Sequence, residues 1–252
     1  MEYAVEIENL RKSFDGGHEF VLNGLNLKIP KGIITVIIGY SGTGKSVLLK
    51  HILGLLHPTS GDIHVLGQNL ITISESDLIK LRCRFGVLFQ HAALFDDMTV
   101  LENVCFPLRE HRRDLRALEV IQIAEKKLQM SGLDPIHFNK LPSELSGGMR
   151  KRAGLARALA LDPEIILYDE PTTGLDPILT EMVDDLIVAT HEKHKGSTSI
   201  VVSHDLAAAF RIGEFVVMLD KGKVLLSGTP EDFLKSELEL VRRFVDKGLR
   251  KN

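Results

Sequence analysis

Cysteine is scarce in this chain, with Cys83 and Cys105 the only two among 252 residues. Two thiols make no disulfide framework in a chain this long, and neither has neighbours at metal-ligand spacing. Buried thiols in a reducing compartment are expected instead. Long apolar runs are missing as well. No stretch approaches the ~18 residues of a membrane-spanning helix, and the opening MEYAVEIENL is acidic where a secretory leader is basic. The expectation is a cytoplasmic protein, held at any membrane by another subunit. A strong charge excess is also lacking: 31 Lys and Arg face 34 Asp and Glu, for a formal net charge of −3. That balance supplies no global pull toward nucleic acid or anionic lipid. Internal repeats and low-complexity linkers are absent from the sequence too, which leaves one or two globular domains.

What the chain does have is concentrated around residues 33 to 49. An apolar run, Ile33 to Ile38, reads as a buried parallel strand. It breaks into Gly39, Tyr40, Ser41, Gly42, Thr43, Gly44, Lys45 and Ser46, which fit G-x-x-x-x-G-K-S. Glycines at 39, 42 and 44 let successive backbone N–H groups converge. The helix that follows presents roughly half a positive charge at its N-terminus. Lys45 adds a full charge for β- and γ-phosphates, and Ser46 offers a hydroxyl to Mg²⁺. Strand, glycine loop and helix come in the order that binding of a nucleoside triphosphate requires.

Around this stretch the chain alternates strand and helix. Tyr3–Ile7 and Phe20–Ile29 alternate polar and apolar residues, as strands of a small antiparallel sheet joined through Asp15, Gly16 and Gly17. Helices are expected over about 45–55, 74–81, 99–109, 115–130 and 181–190, and after Ser146. Strands are expected at about 63–66, 85–89, 164–168, 198–202 and 215–219. This order predicts an α/β fold with a mostly parallel sheet core and a small antiparallel β subdomain. A helical lobe, about 91–155, is inserted into a core lobe of about 1–90 and 156–252. Thr229-Pro230-Glu231-Asp232 opens a capped helix, and Leu238, Val241, Phe244 and Val245 line one side of the tail. Packing on its own domain or against a second copy would both use that side. Arg109, Arg112, Arg113 and Arg116 form a solvated basic face, without the interleaved aromatics of a nucleic-acid site.

Five further features narrow the chemistry. Asp169 closes the apolar strand IILYD, where a carboxylate can hold Mg²⁺, and Glu170 beside it can orient the attacking water. Ser146, Gly147 and Gly148 open a helix and make either a second anion site or a plain serine cap. Because Lys45 already serves one γ-phosphate, the second site would serve the nucleotide of another copy. Gln90 ends the FGVLF strand, placed to touch Mg²⁺ or water. His204 follows the SIVVS strand, on the edge where open α/β sheets bind ligands. Phe14 is placed either to stack on an adenine ring or to sit in the core.

This set resembles the ATP-binding-cassette (ABC) ATPases over nearly the whole chain. GYSGTGKS resembles the family's nucleotide loop, Phe14 its adenine-stacking aromatic and Gln90 its glutamine loop. LSGGM resembles the signature, and IILYDE the magnesium strand with its catalytic glutamate. Gly174-Leu175-Asp176 resembles the loop at the dimer seam, and His204 the switch histidine. Two residues depart from the pattern: Tyr40 stands where proline is common, and Met149 where glutamine is usual. The resemblance implies a P-loop ABC fold and ATP with Mg²⁺ held by Ser46, Gln90 and Asp169. It also implies a head-to-tail homodimer that sandwiches each ATP between Lys45 of one copy and Ser146 and Gly148 of the other.

The LSGGM-RKR and GYSGTGKSVLLKHILGLL stretches look like the ATPase of bacterial MCE-type lipid transporters and their chloroplast relatives. That implies phospholipid as cargo, an integral-membrane permease, a periplasmic MCE protein and a STAS-domain subunit. The ATPase would be peripheral on the cytoplasmic face of the inner membrane, with no nucleic-acid partner. Importers of amino acids or other small solutes have similar ATPases, and a non-transport cytosolic ABC ATPase is the alternative from another class. The segment HAALFDDMTVLENV is a candidate permease surface, with Phe95, Met98 and Val100 as apolar contacts or as core.

Overall fold

The structure, a computed structural model, describes residues 2–194 and 196–249. They form two compact units. One takes in the chain up to Arg82 and from His194 onward, and the other spans Cys83–Lys193. The helical segment expected at 91–155 lies within the second unit.

The first unit opens with β1 (Tyr3–Ser13) and β2 (Phe20–Pro30), an antiparallel pair whose inward residues, such as Val5, Ile7, Leu25 and Leu27, are buried. β3 (Ile34–Ile38) and α1 (Lys45–Ile52) flank the glycine loop. β4 (Ser60–Val65) and β5 (Gln68–Asn69) extend the first sheet to the order β2-β1-β4-β5. α2 (Glu75–Arg82) starts where the Ser74 hydroxyl accepts from the Asp77 N–H.

In the second unit, β6 (Phe85–Leu88) pairs in parallel with a later strand. Between them come α3 (Val100–His111), α4 (Ala117–Met130) and α5 (Gly147–Ala158). A capping box of Thr99 and Glu102 starts α3. The three helices close on one apolar cluster that includes Val104, Cys105, Leu108, Val120, Ala124, Leu128 and Ala153. β7 (Ile165–Asp169) is the partner of β6, and α6 (Pro177–Lys193) follows it. α6 begins four residues before the expected 181, because the Asp176 carboxylate accepts from the Leu179 N–H and Pro177 fits a first turn.

The chain returns to the first unit with β8 (Thr198–Val202), α7 (Leu206–Ile212), β9 (Phe215–Asp220) and β10 (Lys223–Gly228). α8 (Pro230–Leu234) and α9 (Glu239–Leu249) end it. β8 and β9 flank β3 in parallel, and β10 joins β9 antiparallel. β3 and β8 are buried along their whole length, as strands covered on both faces must be. α7 and β10 are not foreseen in the sequence reading. The run LAAAFRI is short and lacks a clear period. What starts it is the Asp205 carboxylate, which accepts from the N–H groups of Ala207 and Ala208.

Candidate ATP site

β3 delivers the chain into the glycine loop, and two close contacts shape it. A β-carbon on Gly39, at φ +155°, would sit 2.6 Å from the Leu219 carbonyl oxygen. Gly44, at φ +99°, lies against the Leu22 side chain, so the β1–β2 hairpin rests on the loop. The Tyr40 carbonyl is the loop's acceptor hub. It takes the Thr43 N–H at 3.3 Å, the Thr43 hydroxyl at 2.9 Å and the Lys45 Nζ at 3.1 Å. Lys45 Nζ also donates to the Gly39 carbonyl at 2.8 Å, and the residue is only 6% exposed. α1 has no side-chain cap and no acidic residue in its first turn, so its leading N–H groups are available to an anion. Ser41, Gly42 and Ser46 are exposed.

His204 leaves the same sheet edge as the loop. Val202 pairs with Ile37 across the parallel strands, and the Ser203 N–H donates to the Ile37 carbonyl. His204 is an exposed residue. Phe14 begins the turn between β1 and β2 and is 62% exposed, which removes the core reading. Lys12 Nζ sits 5.1 Å from its ring centroid, anchored by a hydrogen bond to the His57 carbonyl.

The second unit holds the other expected residues. Leu88 pairs with Tyr168, so Gln90 and the Asp169-Glu170 pair leave the ends of adjacent parallel strands. All three are half-buried. Glu170 adopts φ +46°, a left-handed conformation that a side chain of this size rarely takes. The Thr173 hydroxyl donates to Glu170 Oε2 at 3.0 Å, and the Thr173 N–H donates to its carbonyl at 3.2 Å. Backbone strain of this kind is kept where surroundings over-determine it. Thr173 is missing from the sequence reading; a hydroxyl three residues after the acid was the available signal.

At the start of α5, the Ser146 hydroxyl accepts from the Met149 N–H at 3.3 Å, a long cap bond. Ser146 and Gly147 are exposed, and a β-carbon at Gly147 or Gly148 would meet nothing within 4 Å. Leu145 is buried, and Arg150 donates to its carbonyl at 2.7 Å, so the turn is pinned from both sides. Each unit therefore presents an anion-ready helix N-terminus.

The second unit also carries an open apolar groove of about 340 Å³, lined by Phe85, Phe89, Phe95, Phe106, Pro107 and Leu161 among others. Arg157 bridges its floor, donating to the Ala92 and Ala93 carbonyls at 2.8 Å with its guanidinium over the Phe95 ring. Phe95 thus faces the groove. Val100 does not: it is fully buried in the helical cluster, because Thr99 caps α3 and turns the next residue inward. Met98 is half-buried and lies outside the groove lining.

Residues 22–173 match the family model described as ABC transporter. The chain belongs to the ABC transporter family. It is an ATPase subunit of that family and binds ATP. The chain is 42% identical over 98% of its length to a probable ribonucleotide transport ATP-binding protein, mkl, of Mycobacterium leprae, covering 70% of that protein. It is 43% identical over 92% of its length to the intermembrane phospholipid transport system ATP-binding protein MlaF of Haemophilus influenzae, covering 86% of it. Among solved structures, the ATP-binding cassette MJ0796, a post-hydrolysis dimer bound to ADP and Pi, superposes with a TM-score of 0.78 at 34% identity. The match covers 89% of this chain and 98% of that one.

Proposed function

We propose that this ATPase drives phospholipid movement across the cell envelope, as a dimer bound to a membrane permease on the cytoplasmic face of the inner membrane. The observation that carries the cargo is the 43% identity with the phospholipid transport ATPase along 92% of the chain. Two anion-ready helix ends on one chain, at Lys45 and Ser146, support the head-to-tail dimer: each ATP lies between the Gly39–Ser46 loop of one copy and Ser146, Gly147 and Gly148 of the other. Phe14 stacks on the adenine, Glu170 receives the proton of the attacking water, and His204 donates to the γ-phosphate. Ser46, Asp169 and Gln90 offer only hard oxygen donors, the chemistry that fits Mg²⁺. An ion bound there would neutralise phosphate charge. The core lobe is read as about 1–90 and 156–252, and the helical lobe as about 91–155.

The groove beside Phe95 and Phe106 suits an apolar helical element of the permease, with Arg157 ordering its floor. A periplasmic MCE protein and a STAS-domain subunit complete the assembly. The test is purification of the native complex through a tag on this chain, followed by mass spectrometry of its subunits and extracted small molecules. A permease, an MCE protein and stoichiometric phospholipid are expected. A complex holding a permease and ribonucleotide, as the name of the mycobacterial relative suggests, would overturn the cargo while leaving the ATPase intact.

A further inference from the structure

Tyr40 stands in the middle of the phosphate loop, and its ring leaves the loop and meets α9. Its edge contact with Phe244 has centroids 5.2 Å apart and planes at 88°. The far end of that contact is fixed. Phe244 is 9% exposed and Val241, one turn earlier, is fully buried. α9 packs on α7, and α7 packs on β3, the strand that launches the loop. The chain therefore closes a ring of contacts: β3, loop, Tyr40, Phe244, α9, α7 and back to β3. The near end is the part that handles phosphate. The Tyr40 carbonyl holds Lys45 Nζ and both Thr43 donors, while Ser41 and Gly42 just beyond it are exposed. A proline at this position would restrain φ covalently. Tyrosine has no such restraint, and the ring contact replaces it from outside the loop.

We propose that Phe244 is a positioning residue for the phosphate loop, so that the C-terminal helix sets how tightly nucleotide is held. The loop would then be organised before ATP arrives, and ordering it costs less on binding. This rests on the reading of residues 39–46 as the phosphate site.

The experiment measures ATP Kd by calorimetry, and KM and kcat by phosphate release, on the full chain. The variants are Phe244→Ala, Phe244→Tyr, Tyr40→Ala and the Tyr40→Ala/Phe244→Ala double. Phe244→Ala is expected to raise Kd and KM about 2- to 10-fold, the range of an aromatic pair's coupling. The kcat at saturating ATP should stay near wild type, the signature of lost uniform binding. Phe244→Tyr restores Kd. The double variant binds no more weakly than Tyr40→Ala alone, because the two rings act through one contact. Thermal unfolding drops for Phe244→Ala under either reading, so the cycle decides. Additive effects, or a lowered Tm with Kd unmoved, would overturn the proposal. Lys45→Ala in the same assay separates the two failures: if it binds ATP like wild type, the phosphate-site reading is wrong rather than this one.

Discussion

Replacing Glu170 with glutamine changes one proton-accepting oxygen and little else. The side chains are isosteric, and the amide oxygen of glutamine still accepts from the Thr173 hydroxyl, now 3.0 Å from Glu170 Oε2. The φ of +46° is no worse for glutamine than for glutamate. Weakening the half-buried Thr173 hydrogen bond costs about 0.5–1.5 kcal/mol of stability. Catalysis is affected on a larger scale. A positioned general base contributes about 10²- to 10⁴-fold, which corresponds to about 3–5.5 kcal/mol of barrier. Three readouts separate these effects: phosphate release at saturating ATP, ATP Kd, and the chemical-denaturation midpoint. The expected result is kcat lower by at least ~10²-fold, with Kd and midpoint close to wild type. Sedimentation with ATP should then show an accumulated dimer, since closing is intact and hydrolysis is not. A Glu170→Gln enzyme turning over within a few-fold of wild type would refute the reasoning and move the base elsewhere.

Ser146→Ala separates cap from ligand. The long 3.3 Å cap bond contributes at the low end of such caps, so stability should fall by only about 0.5–1 kcal/mol. Turnover should fall ~10²-fold if the hydroxyl meets phosphate charge in the dimer, and a turnover loss no larger than the stability loss explains would leave it a plain cap. Gly86→Ala would drive a methyl into the Ala158 carbonyl, where α5 packs on β6. A loss of about 1–3 kcal/mol is expected in urea unfolding, and an unchanged midpoint would mean the helix moves aside freely. His51, fully buried in α1, donates from Nδ1 to the Val47 carbonyl, and burial pushes its pKa below the ordinary histidine value, with the Lys12 charge adding to the shift and the Val47 hydrogen bond opposing it. The unfolded chain then binds a proton more readily, so stability is full above the ordinary pKa of about 6.5 and falls as pH drops toward the folded value. Thermal melts at pH 7.5 and 5.5 should therefore differ more in wild type than in His51→Leu, and equal differences would remove His51 as the sensor.

Much of the site was legible because its residues are local in sequence. Residues 39–46 carry their own turn geometry, and the order of strand, glycine loop and helix needs no tertiary contact to be read. Asp169 and Glu170 were legible because they close an apolar strand, and Ser146 because a serine followed by two glycines opens a helix. The same locality explains what stays open. Val100 reads equally as a surface contact or as core, and its direction is decided by the Thr99 cap and by three helices closing over it. α7 was missed because its start depends on the Asp205 side chain rather than on a repeating pattern.

The sequence by itself determined the family and picked out the candidate nucleotide loop and acid pair, because each is a short segment whose backbone demands select its residue types. Only the tertiary structure decided that Phe14 is exposed, that Glu170 is held left-handed by Thr173, and that Phe244 reaches Tyr40 across some two hundred positions. Those facts depend on which surfaces meet when strands and helices pack, and a contact between distant segments leaves no period or spacing in the chain to read.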